Sequence, residues 1–196
     1  MLRVIDLDTP KFITPRLHLR PFNLDDVDPL FQILGVPGVL LYFPNPDPPE
    51  KDRVQKLIEG QINHWHDHGY GWWAVELRAD QKLIGWSGLQ YLPDTDEIEI
   101  GYLLAKPHWG NGLATESALV GLDFGFNELG LTEIIGIVHP ENFPSQRVLE
   151  KIGLQFVQEA EYFGMDCFKY SINRSLSENS LEVRSIPAVD NKNNKR

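Results

Sequence analysis

The sequence predicts an α/β chain built on a mixed sheet. Three observations carry this. Segments of alternating apolar and polar residues are interleaved with segments of helical spacing, in the order β-α-α-β-β-β-α-β-α-β-β. Between residues 96 and 138 a strand, a crossover helix and a second strand follow one another, the pattern of a right-handed parallel unit. Two strand-like segments around Gly164 end the pattern as an antiparallel pair.

Each element has its own local reason. Residues 16–22, "RLHLRPF", alternate and read as the first strand. Residues 23–35 begin with Asn23 as an N-cap, carry acids in the first turn and end at Gly35, so they read as a helix. The Pro-rich run 37–49 reads as a loop that displays Val39, Leu40, Leu41, Tyr42 and Phe43. Residues 50–69 form a second helix, with His64, His66 and His68 near its end. Residues 71–78, 82–92 and 97–105 are successive strands; Gly85 and Gly88 weigh against the middle one. Leu113, Leu119, Leu122 and Phe126 have helical spacing, so 113–129 is a helix. Residues 133–139 read as a buried strand and 142–153 as a short capped helix ending at Gly153. Residues 154–163 and 165–173 are the final strand pair. One domain is expected over residues 1–174. From Ser175 to Arg196 the chain is polar and patternless and reads as a mobile tail.

Composition narrows the function classes. The chain has 196 residues, 42% of them hydrophobic, enough for one sizeable core. Its single cysteine, Cys167, excludes an internal disulfide and suits a reducing compartment. Charges at residues 3, 6 and 8 leave no room for a secretory h-region. No run approaches the ~20 apolar residues of a membrane span. A cytoplasmic protein, monomer or homodimer, is the expectation. The net charge of −10 argues against nucleic acid as a partner. It fits a cationic substrate better than nucleic acid, although acidity is more commonly a route to solubility.

The stretch "HWGNGL", residues 108–113, raises the question of ligand. It joins a strand to a helix. Helix N-termini leave amides unpaired and carry partial positive charge. Glycines let an anion approach that backbone, so Gly110 and Gly112 suit a phosphate. The Walker pattern fails because Leu113 follows Gly112, and the Rossmann pattern fails because residue 115 is Thr. A plain turn with packing glycines is the competing reading.

Three segments together resemble one family: "TPRLHLRPF", "EIEIGYLLAKPHWGNGLATESA" and "NFPSQRVLEKIGL". In this order and spacing they resemble the GNAT superfamily of N-acetyltransferases over about residues 12–172. The likeness is closest to the RimJ/RimL type, which acetylates ribosomal-protein N-termini. The resemblance implies a GNAT-like fold, with a central mixed, mostly antiparallel sheet, a splayed parallel strand pair and about four helices. It implies acetyl-CoA as cosubstrate and a primary amine as acceptor, either a protein N-terminus or a small molecule. The pyrophosphate would lie on the amides of Gly110, Asn111, Gly112, Leu113, Ala114 and Thr115. Trp109 stands where the family has Gln or Arg, which leaves backbone amides as the main grip. By position, Leu103, Leu104 and Ala105 would pair with the pantetheine arm, and Asn142 would reach it from the opposite wall. The family's acceptor pocket lies near the second helix and the Pro-rich loop.

The chemistry needs a base for the amine, stabilisation of an oxyanion and departure of a thiolate. Strand alternation puts Glu97, Glu99 and Gly101 on one face, with Gly101 leaving space beside Glu99. The family often has a glutamate base on this strand, which implies Glu99, with Glu97 as the lesser candidate. The family's usual tyrosine acid is replaced by Leu149, and Ser145 is the nearest hydroxyl. The alternative is a non-catalytic acyl-CoA-binding module. His64 and His68 have metal-capable i, i+4 spacing, but cations are generally favoured at helix C-termini, and no metal is assigned.

Overall fold

A computed structural model describes residues 9–174. The strands and α-helices are β1 (Phe12–Ile13), β2 (Leu17–Arg20), α1 (Val27–Leu34), α2 (Lys51–His68), β3 (Trp72–Leu77), β4 (Leu83–Leu92), β5 (Glu97–Leu104), α3 (Leu113–Asp123), β6 (Glu133–Val138), α4 (Phe143–Lys151), β7 (Gln155–Tyr162) and β8 (Met165–Asn173). The strands form one sheet in the order β1-β2-β3-β4-β5-β6-β8-β7. All neighbours are antiparallel except β5 and β6. The mixed sheet and its parallel pair are therefore as the sequence predicts. The expected tail over 175–196 lies outside the described residues. No helix among the described residues is long and apolar enough to cross a membrane.

A short strand, β1, precedes the strand expected over 16–22, and other features differ from the sequence expectation for physical reasons. The doubtful strand 82–92 is a full ten-residue strand because its glycines admit neighbouring backbones. A Cβ on Gly85 would lie 2.0 Å from the Leu103 carbonyl oxygen, and one on Gly88 2.2 Å from that of Gly71. The helix expected over 113–129 is α-helical to Asp123 and then widens into a π turn, Phe124–Glu128.

The helix expected over 23–35 opens with a 3-10 turn, Leu24–Asp26. Asn23 caps it reciprocally: its Oδ1 accepts from the Asp25 amide at 2.8 Å, and its own amide donates to Asp26 at 2.9 Å. Asp26 is also a buried anchor. Its carboxylate is 2.6 Å from the Arg20 guanidinium, which also reaches Glu76 at 2.6 Å. This triad ties β2 and β3 to the start of α1.

The sheet has a core on each face. Phe22, Leu30, Val54 and Ile58 from the α1–α2 side pack with Ala74, Trp86 and Leu103. Leu113, Ala118, Leu122 and Leu149 from the α3–α4 side pack with Val75, Leu89, Ile100 and Leu104. This two-layer cover fixes the orientation of β5, which has one face toward each helix pair.

The candidate site depends on how β5 ends. On one side β5 pairs with β4 along its whole length, from Glu97 opposite Leu92 to Leu104 opposite Gly85. On the other side its parallel ladder with β6 has the single register pair Glu99–Ile135. Beyond Glu99 the two strands diverge. Meanwhile β6 stays fully paired with β8, from Glu133–Asn173 to Val138–Phe168. Among the described residues the sheet therefore opens between β5 and β6.

Candidate active site

A cavity of about 270 Å³ occupies this opening. Its lining includes Glu99 and Tyr102 from β5, Ile137 from β6, Asn142 and Ser145 at the start of α4, and Trp72 and Trp86 from β3 and β4. Tyr42, Phe43 and Pro44 of the Pro-rich loop close one side. Residues from six separate stretches of chain thus meet at the point where strand pairing fails. Backbone groups freed there can accept an extended ligand in place of a strand.

Glu99 lies within the cavity, partly open to it and otherwise enclosed. Burial raises its carboxyl pKa to about 8, against a weaker opposing backbone hydrogen bond with Ile137. Glu97 behaves oppositely. Burial alone would raise its carboxyl. Hydrogen bonds from Lys169, Thr95 and Tyr162, with the Lys169 charge, hold it below the usual range. Lys169 Nζ pairs directly with Glu97, and Tyr162 donates to it at 2.8 Å. Two carboxylates on one strand face are thereby separated, one poised to take a proton near neutral pH and the other locked in an ion pair.

Gly101 does not leave empty space beside Glu99, contrary to the sequence expectation. A Cβ there would lie 3.1 Å from the Trp86 ring. The glycine instead admits that indole, which stacks on Trp72 at 3.8 Å with an 8° tilt. The aromatic floor of the cavity is the result.

On the other side, Asn142 is the N-cap of α4, and its Oδ1 accepts from the Ser145 amide at 3.2 Å. Leu149 is buried and lines the same cavity. The hydroxyl that sequence reasoning missed comes from β5. Tyr102 Oη donates to the Ser145 carbonyl at 3.1 Å and lies 3.0 Å from Ser145 Oγ. Burial raises the Tyr102 phenol pKa well above its ordinary value. The Ser145 hydrogen bond opposes this weakly and the Glu99 charge reinforces it. The signal available in the sequence was the alternation itself, which puts Tyr102 on the face opposite Glu99, toward α4.

The glycine loop is formed as expected. Gly110 and Gly112 both have φ of 74°, a conformation that favours glycine, and Gly112 is the N-cap of α3 with no side-chain cap. The first α3 amides are thus uncovered by any capping side chain. Leu113 is buried behind them, while Ala114 and Thr115 are partly open. Asn111 turns its side chain onto the Trp109 carbonyl at 3.1 Å. Trp109 folds back, its indole N–H donating to the Leu104 carbonyl at 2.6 Å. Of the backbone groups expected to meet a pantetheine arm, the Ala105 amide is already given to Ile84 on the β4 side at 2.7 Å. Leu103 and Leu104 register with Trp86 and Gly85 on that side.

Sequence reasoning also missed a brace on this loop. Arg16 donates to Glu116 at 2.6 Å and to the Asn111 carbonyl at 2.7 Å. Thr14 donates to the same Glu116 at 2.5 Å. The turn between β1 and β2 is therefore clamped to the loop and the first turn of α3. Partners about 100 positions apart leave no local pattern. Away from the cavity, the His64 and His68 rings lie 4.4 Å apart. Among the described residues no three His, Cys, Asp or Glu side chains are arranged to hold a metal.

A family model described as acetyltransferase (GNAT) domain matches residues 16–155. Bacillus subtilis YkkB is 34% identical over 151 residues, covering 74% of this chain and 86% of that protein. The Bacillus licheniformis N-acetyltransferase p20 is 32% identical over 151 residues, covering 72% and 80%. The crystal structure of an acetyltransferase from Agrobacterium tumefaciens superposes with a TM-score of 0.76 at 25% identity, covering 89% of this chain and all of that one. A glycine loop at a helix start, a sheet split at one parallel pair and these likenesses agree: the chain belongs to the GNAT family of acetyl-CoA-dependent N-acetyltransferases.

Proposed function

We propose that the chain transfers acetyl from acetyl-CoA to a primary amine by direct attack, with Glu99 as the base. The observation that carries this is the Glu99 carboxyl in the cavity, held at a pKa of about 8. A base is most effective when its pKa lies near the working pH. The amine nitrogen bonds the acetyl carbon, its proton passes to Glu99, and the C–S bond breaks with its electron pair left on sulfur. Tyr102 and Ser145 are the hydroxyls available to that sulfur. The raised Tyr102 pKa keeps its proton on the phenol, so it serves as a fixed hydrogen-bond donor rather than giving the proton up. A thiol of ordinary pKa ~8.5 leaves as thiolate without full protonation.

The cosubstrate fits along the same line. Gly110, Asn111, Gly112, Leu113, Ala114 and Thr115 would hold the pyrophosphate on their amides, aided by the left-handed turns at both glycines. Trp109 would act through packing, since its N–H is engaged with Leu104. The open edge of β5 beyond Glu99, with Leu103, Leu104 and Ala105 at its end, would run beside the pantetheine, and Asn142 would face it from α4.

The acceptor is an amine at the Trp86 end of the cavity, a protein N-terminus in the RimJ/RimL manner or a small molecule. The test is release of CoA thiol with a panel of amines and short peptides, read with the mass of the acetylated product. An acyl-CoA-binding module without activity would bind acetyl-CoA by calorimetry and show no amine-dependent thiol.

A further inference from the structure

The acceptor half of the cavity has a definite chemical character. Trp72 and Trp86 are stacked face to face at 3.8 Å. Phe43 meets Trp86 edge-on, with ring centroids 6.5 Å apart. Tyr42 also lines the cavity, its ring 5.2 Å from that of His139. Flat apolar groups gain both area and ring geometry from such walls, and a cation is attracted to an indole face. Among the described residues that line the cavity, Glu99 is the sole carboxylate.

The next acid on the same strand face is Glu97. Two residues along a strand span ~6.6 Å, close to the separation of neighbouring nitrogens in a polyamine. A second ammonium would therefore need Glu97. Lys169 already holds that carboxylate, and Tyr162 donates to it. An incoming second cation meets a neutralised pair with a lysine in the place it would take. A peptide has a different difficulty, because its main-chain N–H and C=O groups all need partners, and the stacked pair offers one buried, unpaired donor, the Trp72 indole N–H.

We propose that the acceptor is a small monoamine carried on a flat apolar body, and that Lys169 excludes polyamines by occupying Glu97. This rests on the acetyl-transfer reading of the same cavity. The amine would approach Glu99 while its body lies on the Trp86 side under Phe43. Lys169 is a specificity residue in this arrangement and does not touch the reacting atoms.

The experiment compares phenylethylamine, a tripeptide beginning with Phe, and spermidine as acceptors for the full chain with acetyl-CoA, by amine-dependent thiol release. The wild-type protein should prefer phenylethylamine in kcat/KM by at least ~10-fold over both others. Lys169→Ala should raise kcat/KM for spermidine by ~10-fold or more and leave phenylethylamine within ~2-fold. Lys169→Gln keeps a hydrogen bond and removes the charge, so it replaces the alanine variant if that one fails to fold. Phe43→Ala should lower kcat/KM for phenylethylamine more than for spermidine. Preference of the wild-type protein for spermidine or for the peptide overturns the proposal while leaving acetyl transfer intact. So does a charge-removing Lys169 variant with unchanged discrimination. Absence of thiol release with every amine, while calorimetry still shows acetyl-CoA binding, overturns the acetyl-transfer reading and this proposal with it.

Discussion

Replacing Glu99 by Gln tests the proposed base most directly. The substitution keeps the size and much of the hydrogen bonding but cannot take a proton. In the wild-type protein the carboxyl pKa is raised from 4.5 to about 8, chiefly by burial. Because the folded pKa lies above the unfolded one, ionisation costs stability. That cost is absent below pH 4.5, grows between 4.5 and about 8, and is complete above. Each pH unit of displacement corresponds to ~1.4 kcal/mol, so the full cost approaches ~5 kcal/mol before water in the open cavity relieves it. Glu99→Gln should therefore unfold at higher temperature than wild type at pH 9 and at nearly the same temperature at pH 4, by calorimetric melting. Kinetically, wild-type kcat should rise with pH through an inflection near 8, as the carboxylate becomes available. A positioned base contributes ~10²–10⁴-fold, so the variant should lose at least ~10-fold in kcat and lose that inflection. Part of the loss should return at high pH, where more amine is already neutral. Acetyl-CoA affinity by calorimetry should be nearly unchanged. A variant with wild-type kcat across the pH range would refute the reasoning and leave proximity and backbone contacts as the source of rate.

Three other perturbations bear on the remaining parts. Gly112→Val forces a branched residue into a φ of 74° at the head of α3, and should weaken CoA binding in calorimetry while circular dichroism shows the fold retained. Tyr102→Phe should lower kcat by roughly 3–30-fold with unchanged CoA affinity, as loss of a single oriented donor to the departing sulfur, and Ser145→Ala should cost less; a larger effect from Ser145→Ala would reverse their roles. Asp26→Ala leaves the largely buried Arg20 with Glu76 as its one carboxylate partner and the Asn23 amide without its acceptor, and should destabilise the fold by ~3–5 kcal/mol in urea titration, with kcat of the folded fraction retained.

Local physics made most of the architecture legible in the sequence. Alternation and helical spacing identified the main strands and helices, and the caps at Asn23 and Asn142 are formed as read. The glycine loop also belongs to this class, because the turns at Gly110 and Gly112 and the helix start at Leu113 are properties of neighbouring residues. Glu99 could be singled out from its place on β5, but its basicity could not. That depends on the enclosure made by β6, the aromatic pair and the Pro-rich loop.

What only the tertiary structure decided are relations between distant parts of the chain. Strand order is one: β8 inserts between β6 and β7, and β5 separates from β6 after one register pair. The Tyr102–Ser145 contact spans 43 positions, the Glu97–Lys169 pair 72, and the Arg16–Glu116 brace 100. Hydrophobic periodicity records which face of an element is buried, because each residue senses its own burial. It holds no record of which residue lies opposite, because that is set by how whole elements pack and by where the sheet can no longer pair. By itself, the sequence therefore determined the elements and their buried faces, together with the glycine turn that opens α3. The meeting of a desolvated carboxyl, two hydroxyls and an aromatic floor was decided by the divergence of two strands.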